Sequence, residues 1–136
     1  MAKIPVFNGG AGEPSLWTDE GYPIGHSSEY VAIPANGTDE NTFAVKVHGE
    51  SMAPFLLPGD IVVVVPSARL ANGEVCFATW QNDGGEKLVK RFYRYGDVVV
   101  LRSDNPNKKR FPDLEIGVEE FNRIRMFRIN QVIRKI

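Results

Sequence analysis

The sequence predicts an all-β (mainly β) domain of short, bent antiparallel strands with no long helix. Three observations carry this. Apolar residues recur at two-residue spacing, as at Phe43, Val45 and Val47, rather than at a helical period. The β-branched run at 61–65 is too short for a helix and is bounded by Pro58-Gly59-Asp60 and Pro66. Glycine and proline punctuate the rest at close intervals, and 136 residues suffice for one core but not for a second full domain.

The elements follow in order. Residues 1–42 read as a loop-rich arm, broken by Pro5, Gly9, Gly10, Gly12, Pro14, Gly21, Pro23, Gly25, Pro34 and Gly37, with short strands around 4–7 and 30–33. Residues 43–136 read as the folded domain. Its first strand, 43–47, has one apolar face and stops at Gly49, and 61–65 is a buried strand. A strand at 74–80, a Gly-rich turn at 81–86 and a returning strand at 87–95 form a hairpin. Gly96-Asp97 turns the chain into 98–102, Asn105-Pro106-Asn107 makes a polar loop, and alternation resumes over 124–136.

The composition is 43% hydrophobic and 24% charged with a formal net charge of −1, an ordinary globular balance from which no partner follows. The charge is uneven: residues 1–42 hold one lysine against six acids, and residues 43–136 hold fifteen basic residues against eleven acids. A single cysteine, Cys76, excludes an internal disulfide and fits a reducing compartment; with no signal-peptide pattern after Met1, a cytoplasmic location is expected. The longest strongly apolar run is far too short for a membrane span. No helix-turn-helix or zinc-finger spacing is present, so direct DNA binding by this chain is not expected, and neither is a metal or cofactor. Cys76 reads as a buried strand residue and Lys108-Lys109-Arg110 as a solvated charge cluster. The basic stretch 121–136 suits edge protection or partner contact as well as phosphate binding.

Two residues suggest chemistry. Ser51, in His48-Gly49-Glu50-Ser51-Met52-Ala53-Pro54, follows a strand in a glycine-permitted turn, where a hydroxyl can be exposed and rigidly held. Read alone, it is a loop serine bonded to its own backbone. Gly49-Glu50-Ser51-Met52-Ala53 is one methyl away from a Gly-x-Ser-x-Gly elbow, but that elbow needs a following helix, which Pro54 and Pro58 disfavour. A Ser-His-Asp triad would have to draw on His48 or His26, and nothing places either beside Ser51. Lys90, in Leu88-Val89-Lys90-Arg91-Phe92, shares a strand face with Leu88 and Phe92. It either reaches water at a sheet edge or sits in an apolar site, where desolvation would lower its pKa toward that of a general base.

These pieces together resemble the LexA-like peptidase S24 family of SOS repressors, phage repressors and UmuD mutagenesis proteins. The resemblance rests on residues 45–52, on Pro58-Gly59-Asp60 with its apolar strand, on Gly73-Glu74-Val75, on Val89-Lys90-Arg91 and on Gln131-Val132-Ile133-Arg134, in that order. It covers most of 43–136 and implies a LexA/signal-peptidase-like fold with Ser51 as nucleophile and Lys90 as general base. The backbone amides of Glu50 and Ser51 are the expected oxyanion donors. The family cuts its own chain, commonly between Ala and Gly, which marks Ala11-Gly12 in the arm as the candidate scissile bond; a merely flexible glycine-rich arm would look the same. Resemblance further implies a homodimer and stimulation by RecA filaments. The preferred expectation is the self-cleaving half of a transcriptional repressor whose DNA-binding domain lies upstream. The alternatives are a UmuD-like polymerase accessory protein, a catalytically silent dimerisation module and, more distantly, a signal peptidase.

Overall fold

The computed structural model describes residues 1–8, 29–80 and 86–134. Nine strands form one sheet: β1 (Ala2–Asn8), β2 (Glu29–Ile33), β3 (Phe43–Lys46), β4 (Ile61–Val64), β5 (Val75–Trp80), β6 (Lys87–Tyr95), β7 (Val98–Arg102), β8 (Leu114–Gly117) and β9 (Ile124–Ile133). Their spatial order is β2-β1-β3-β4-β9-β5-β6-β7-β8. The main helical element among the described residues is a 3-10 segment, Val118–Arg123, and no helix there is long and apolar enough to cross a membrane.

The all-β expectation holds, with one difference in strand direction. β1 runs parallel to β3, through Val6↔Ala44 and Phe7↔Val45, while the other pairings are antiparallel, so the sheet is mixed. A parallel neighbour needs a crossover, and β1 and β3 are separated by enough chain to supply one. β6 and β7 occupy 87–95 and 98–102 as the alternation implies, whereas β8 and the 3-10 segment had no sequence expectation.

The last strand joins two halves. β9 pairs with β4 through Ile129–Ile133 and with β5 through Ile124–Arg128, and a register irregularity at Val63/Val64 marks the change. Beneath the join lies a cluster that includes Phe43, Val45, Val62, Val64, Val75 and Phe77, with Phe127 and Ile129 against it. Phe43 and Phe77 meet edge to face at 5.7 Å between centroids, the favoured aromatic geometry. Met52 and Leu56 belong to the same cluster although they lie in a loop, and this fixes the loop that carries Ser51.

Candidate active site

The Ser51 loop is held at both ends and in the middle. At its start Gly49 takes φ +74°, a left-handed conformation that costs an L-residue about 1–2 kcal/mol but glycine little. Met52 and Leu56, 1% and 0% exposed, plug into the core on either side of a single turn closed by Leu56 N–H to the Met52 carbonyl at 2.9 Å. No helix follows Ser51, so the elbow geometry is absent. At the far end Asp60, 3% exposed, accepts from the Leu57 amide at 2.8 Å and from Arg134 Nε and Nη2 at 2.9 and 2.7 Å. Arg134 foremost holds the Asp60 carboxyl below the ordinary aspartate value, and Arg134 also donates to the Phe55 carbonyl. The strand end and the serine loop are thus tied to one another.

A second loop, after β7, supports the serine from the other side. The Asn105 amide donates to the Ser51 carbonyl at 2.9 Å, Asn105 Nδ2 donates to the Glu50 carbonyl at 2.8 Å, and the Asp104 amide points at Met52 Sδ. Asp104 is held in turn by Arg91, whose Nε and Nη2 meet its two oxygens at 2.9 and 2.7 Å. This fork-to-fork pair anchors the loop on the β6 face opposite Lys90.

Lys90 is buried, 8% exposed, beside Phe92 on the inward face of β6. Desolvation, reinforced by the charge of Lys108, holds its ammonium below the ordinary lysine pKa; Glu86 and Asp113 oppose this. Lys90 Nζ donates to Ser103 Oγ at 2.9 Å, and Ser103 is 2% exposed. Lys90 and the half-buried Ser51 line one cleft, together with Val45, Lys46, Val47, His48, Met52, Phe77, Lys87, Leu88 and Val89. Among the described residues the Ser51 hydroxyl makes no hydrogen bond, so Lys90 is held by Ser103 rather than by Ser51.

His48 is exposed on the same cleft, while His26 lies outside the described residues, as do Ala11 and Gly12. Glu50 is exposed, and its carbonyl accepts from the Ala53 amide at 3.1 Å as well as from Asn105. Cys76 faces Lys90 across β5 and β6; burial pushes its thiol up to about 12, leaving it a neutral wall of the site. No group of three metal-ligating side chains occurs among the described residues.

Ser103 had no role in the sequence analysis, though a signal exists. The β6–β7 register pairs Arg91 with Arg102, and one more step places Ser103 opposite Lys90. Lys108, read from sequence as solvated, turns back to bond the Ser103 carbonyl and pairs with Asp113 at 3.1 Å. Within the basic stretch after residue 121, Arg128 pairs with Glu74 and Arg134 with Asp60, so part of that charge is neutralised.

A family model described as Peptidase S24-like matches residues 5–124. Among curated proteins, the LexA repressor of Leuconostoc mesenteroides subsp. mesenteroides is 37% identical over 107 residues, 76% of this chain and 47% of that protein. The LexA repressor of Syntrophomonas wolfei is 37% identical over 106 residues, 76% and 48% of the two chains, and that of Deinococcus radiodurans 35% over 86 residues, 61% and 40%. The chain spans about half the length of these curated relatives.

Proposed function

The chain belongs to the peptidase S24-like family, and from that premise we propose that it is a serine endopeptidase that cuts itself, with Ser51 as nucleophile and Lys90 as general base. The observation that carries the proposal is the shared cleft, lined by both a half-buried hydroxyl and a buried lysine whose ammonium is disfavoured. Because Lys90 donates an N–H to Ser103, its neutral form keeps the lone pair available for the Ser51 proton.

In the reaction, neutral Lys90 takes the Ser51 proton as Oγ attacks the Ala11 carbonyl carbon. The Ala11–Gly12 bond breaks, the Lys90 ammonium returns its proton to the departing Gly12 amine, and an acyl ester on Ser51 remains. Water then attacks the ester as Lys90 takes one of its protons, the Lys90 ammonium returns that proton to the departing Ser51 Oγ, and the Ala11 carboxylic acid so freed loses its own proton to solvent. The amides of Glu50 and Ser51 are the proposed donors to the oxyanion. The bond lies in the same chain, so proximity replaces a deep specificity pocket.

The similarity to LexA repressors extends the proposal: this is the regulatory part of a LexA-like repressor, a homodimer without DNA contacts of its own, whose cleavage, stimulated by RecA filaments, ends repression in a DNA-damage response. The test is incubation from neutral to mildly alkaline pH with mass determination of the fragments. Cleavage after Ala11 should rise with pH, as Lys90 loses its proton, and vanish in Ser51→Ala and in Lys90→Ala. Cutting that persists in Lys90→Ala removes Lys90 as the base. An intact chain at every pH, with RecA filaments present, leaves a silent dimerisation module.

A further inference from the structure

Ser103 stands between two lysines. Its hydroxyl accepts from Lys90 Nζ at 2.9 Å, and its carbonyl accepts from Lys108 Nζ on the loop that follows β7. Lys108 is exposed and meets Asp113 Oδ1 at 3.1 Å; the other oxygen of Asp113 meets Arg102 Nε at 3.3 Å. A single buried residue therefore keeps two cationic side chains in a fixed relation, with a carboxylate on the outer side of the second.

The other charged groups around Lys90 are placed differently. From β5, Cys76 faces it as a neutral thiol, and the neighbouring Glu74 is paired with Arg128 of β9. On the cleft walls stand His48, Lys87, and Lys46, which is paired with Glu29. Glu86 precedes β6, and Asp104 is committed to Arg91. Among these, Lys108 and Asp113 are the pair attached to the residue that grips Lys90.

We infer that Lys108 is a positioning residue for the base: by clamping the Ser103 carbonyl it fixes the hydroxyl that holds Lys90 and sets a like charge against the Lys90 ammonium, with Asp113 as counterweight. The inference rests on the Ser51–Lys90 reading and deepens it by making the loop at 103–113 part of the control of the base. Two cations sharing one residue disfavour each other's charge. The exposed one is solvated and ion-paired, so the buried one yields its proton.

Two measurements on the full-length chain test this. The first is the pH–rate profile of self-cleavage. Lys108→Gln keeps a donor for the Ser103 carbonyl but removes the charge, and should lower the rate at neutral pH roughly three- to sixfold, the scale of one solvent-exposed charge acting over about 4–6 Å at a dielectric close to that of water, about 80. The alkaline plateau should stay, with the midpoint moved to higher pH. Lys108→Arg should restore the midpoint, and Asp113→Asn should move it lower. The second is a pH titration of ε-13C-lysine resonances by NMR in a Ser51→Ala background, where the Lys90 signal is identified by its loss in Lys90→Met. Its midpoint should rise in Lys108→Gln and fall in Asp113→Asn. Should Lys108→Gln fail to fold, the opposite shift in Asp113→Asn carries the test. A stationary Lys90 resonance in a chain that cuts itself, or a uniform rate loss with an unmoved midpoint, overturns the inference. A resonance that shifts as expected in a chain that never cuts itself supports the charge coupling and refutes the peptidase reading.

Discussion

Replacing Ser103 with alanine separates two effects that the site combines. The Lys90–Ser103 hydrogen bond spans 2.9 Å between residues that are 8% and 2% exposed, so little water competes for it. A buried hydrogen bond to a charged group is worth about 1.5–3 kcal/mol, and each 1.4 kcal/mol is tenfold in rate, so a base that loses its grip should cut about 10- to 100-fold more slowly at the alkaline plateau. The midpoint should move the other way. Ser103 accepts from Lys90, and an acceptor stabilises the ammonium more than the amine, so its removal makes the proton easier to lose and shifts the profile to lower pH. The assay is fragment formation against pH by mass spectrometry, with thermal unfolding to check that Ser103→Ala is folded, and with Ser103→Thr expected to keep most of the rate. An unchanged plateau in folded Ser103→Ala, or a midpoint displaced upward, refutes the role assigned to this contact.

Other expected outcomes follow from the loop. Asp60→Asn should destabilise the fold by about 1–3 kcal/mol in urea unfolding at neutral pH, because the Leu57 amide loses its carboxylate acceptor. Asp60 has its folded pKa lowered from 3.8, so its contribution is present above that value and lost as pH falls through the lower folded one; the wild-type and Asp60→Asn stabilities should converge below about pH 4, and a constant gap would contradict this. Gly49→Ala should cost about 1–2 kcal/mol through backbone strain alone, since a Cβ there meets nothing within 4 Å; an unchanged melting temperature would show that φ +74° is not needed. Cys76, fully buried with its thiol pushed up to about 12, should resist thiol reagents at pH 8 until the chain is unfolded, and rapid labelling of native protein would show that the wall behind Lys90 opens.

Much of the strand pattern was legible because period-2 alternation is a local property. Phe43, Val45 and Val47 announce a strand without help from elsewhere, and Gly96-Asp97 places the β6–β7 turn. Local pattern could not give the parallel pairing of β1 with β3, which depends on where a distant segment settles, nor β8, whose sequence Leu-Glu-Ile-Gly is too short and mixed to show a period. For the site, Lys90 was legible as an anomaly on an apolar face, while its environment was not. Ser103, Asp104 and Asn105 look like any polar loop, and their roles arise only when the β6–β7 register and the Ser51 loop bring them to Lys90, Met52 and the Ser51 carbonyl. Lys108 is exposed, as the sequence reading of a solvated triplet has it, but a basic triplet has no periodicity to show that one of its members bonds the Ser103 carbonyl.

The position of β9 has a consequence in time. The strand that carries the Ser51 loop and the strand that carries Lys90 lie in halves whose sheet continuity passes through Ile124–Ile133, the last strand described. A ribosome delivers that strand after both halves. While it is still being synthesised, β4 and β5 each lack the neighbour that sets their mutual register, and Arg134 is not yet available to Asp60. The two walls of the cleft therefore gain a continuous sheet between them only once this strand has left the exit tunnel.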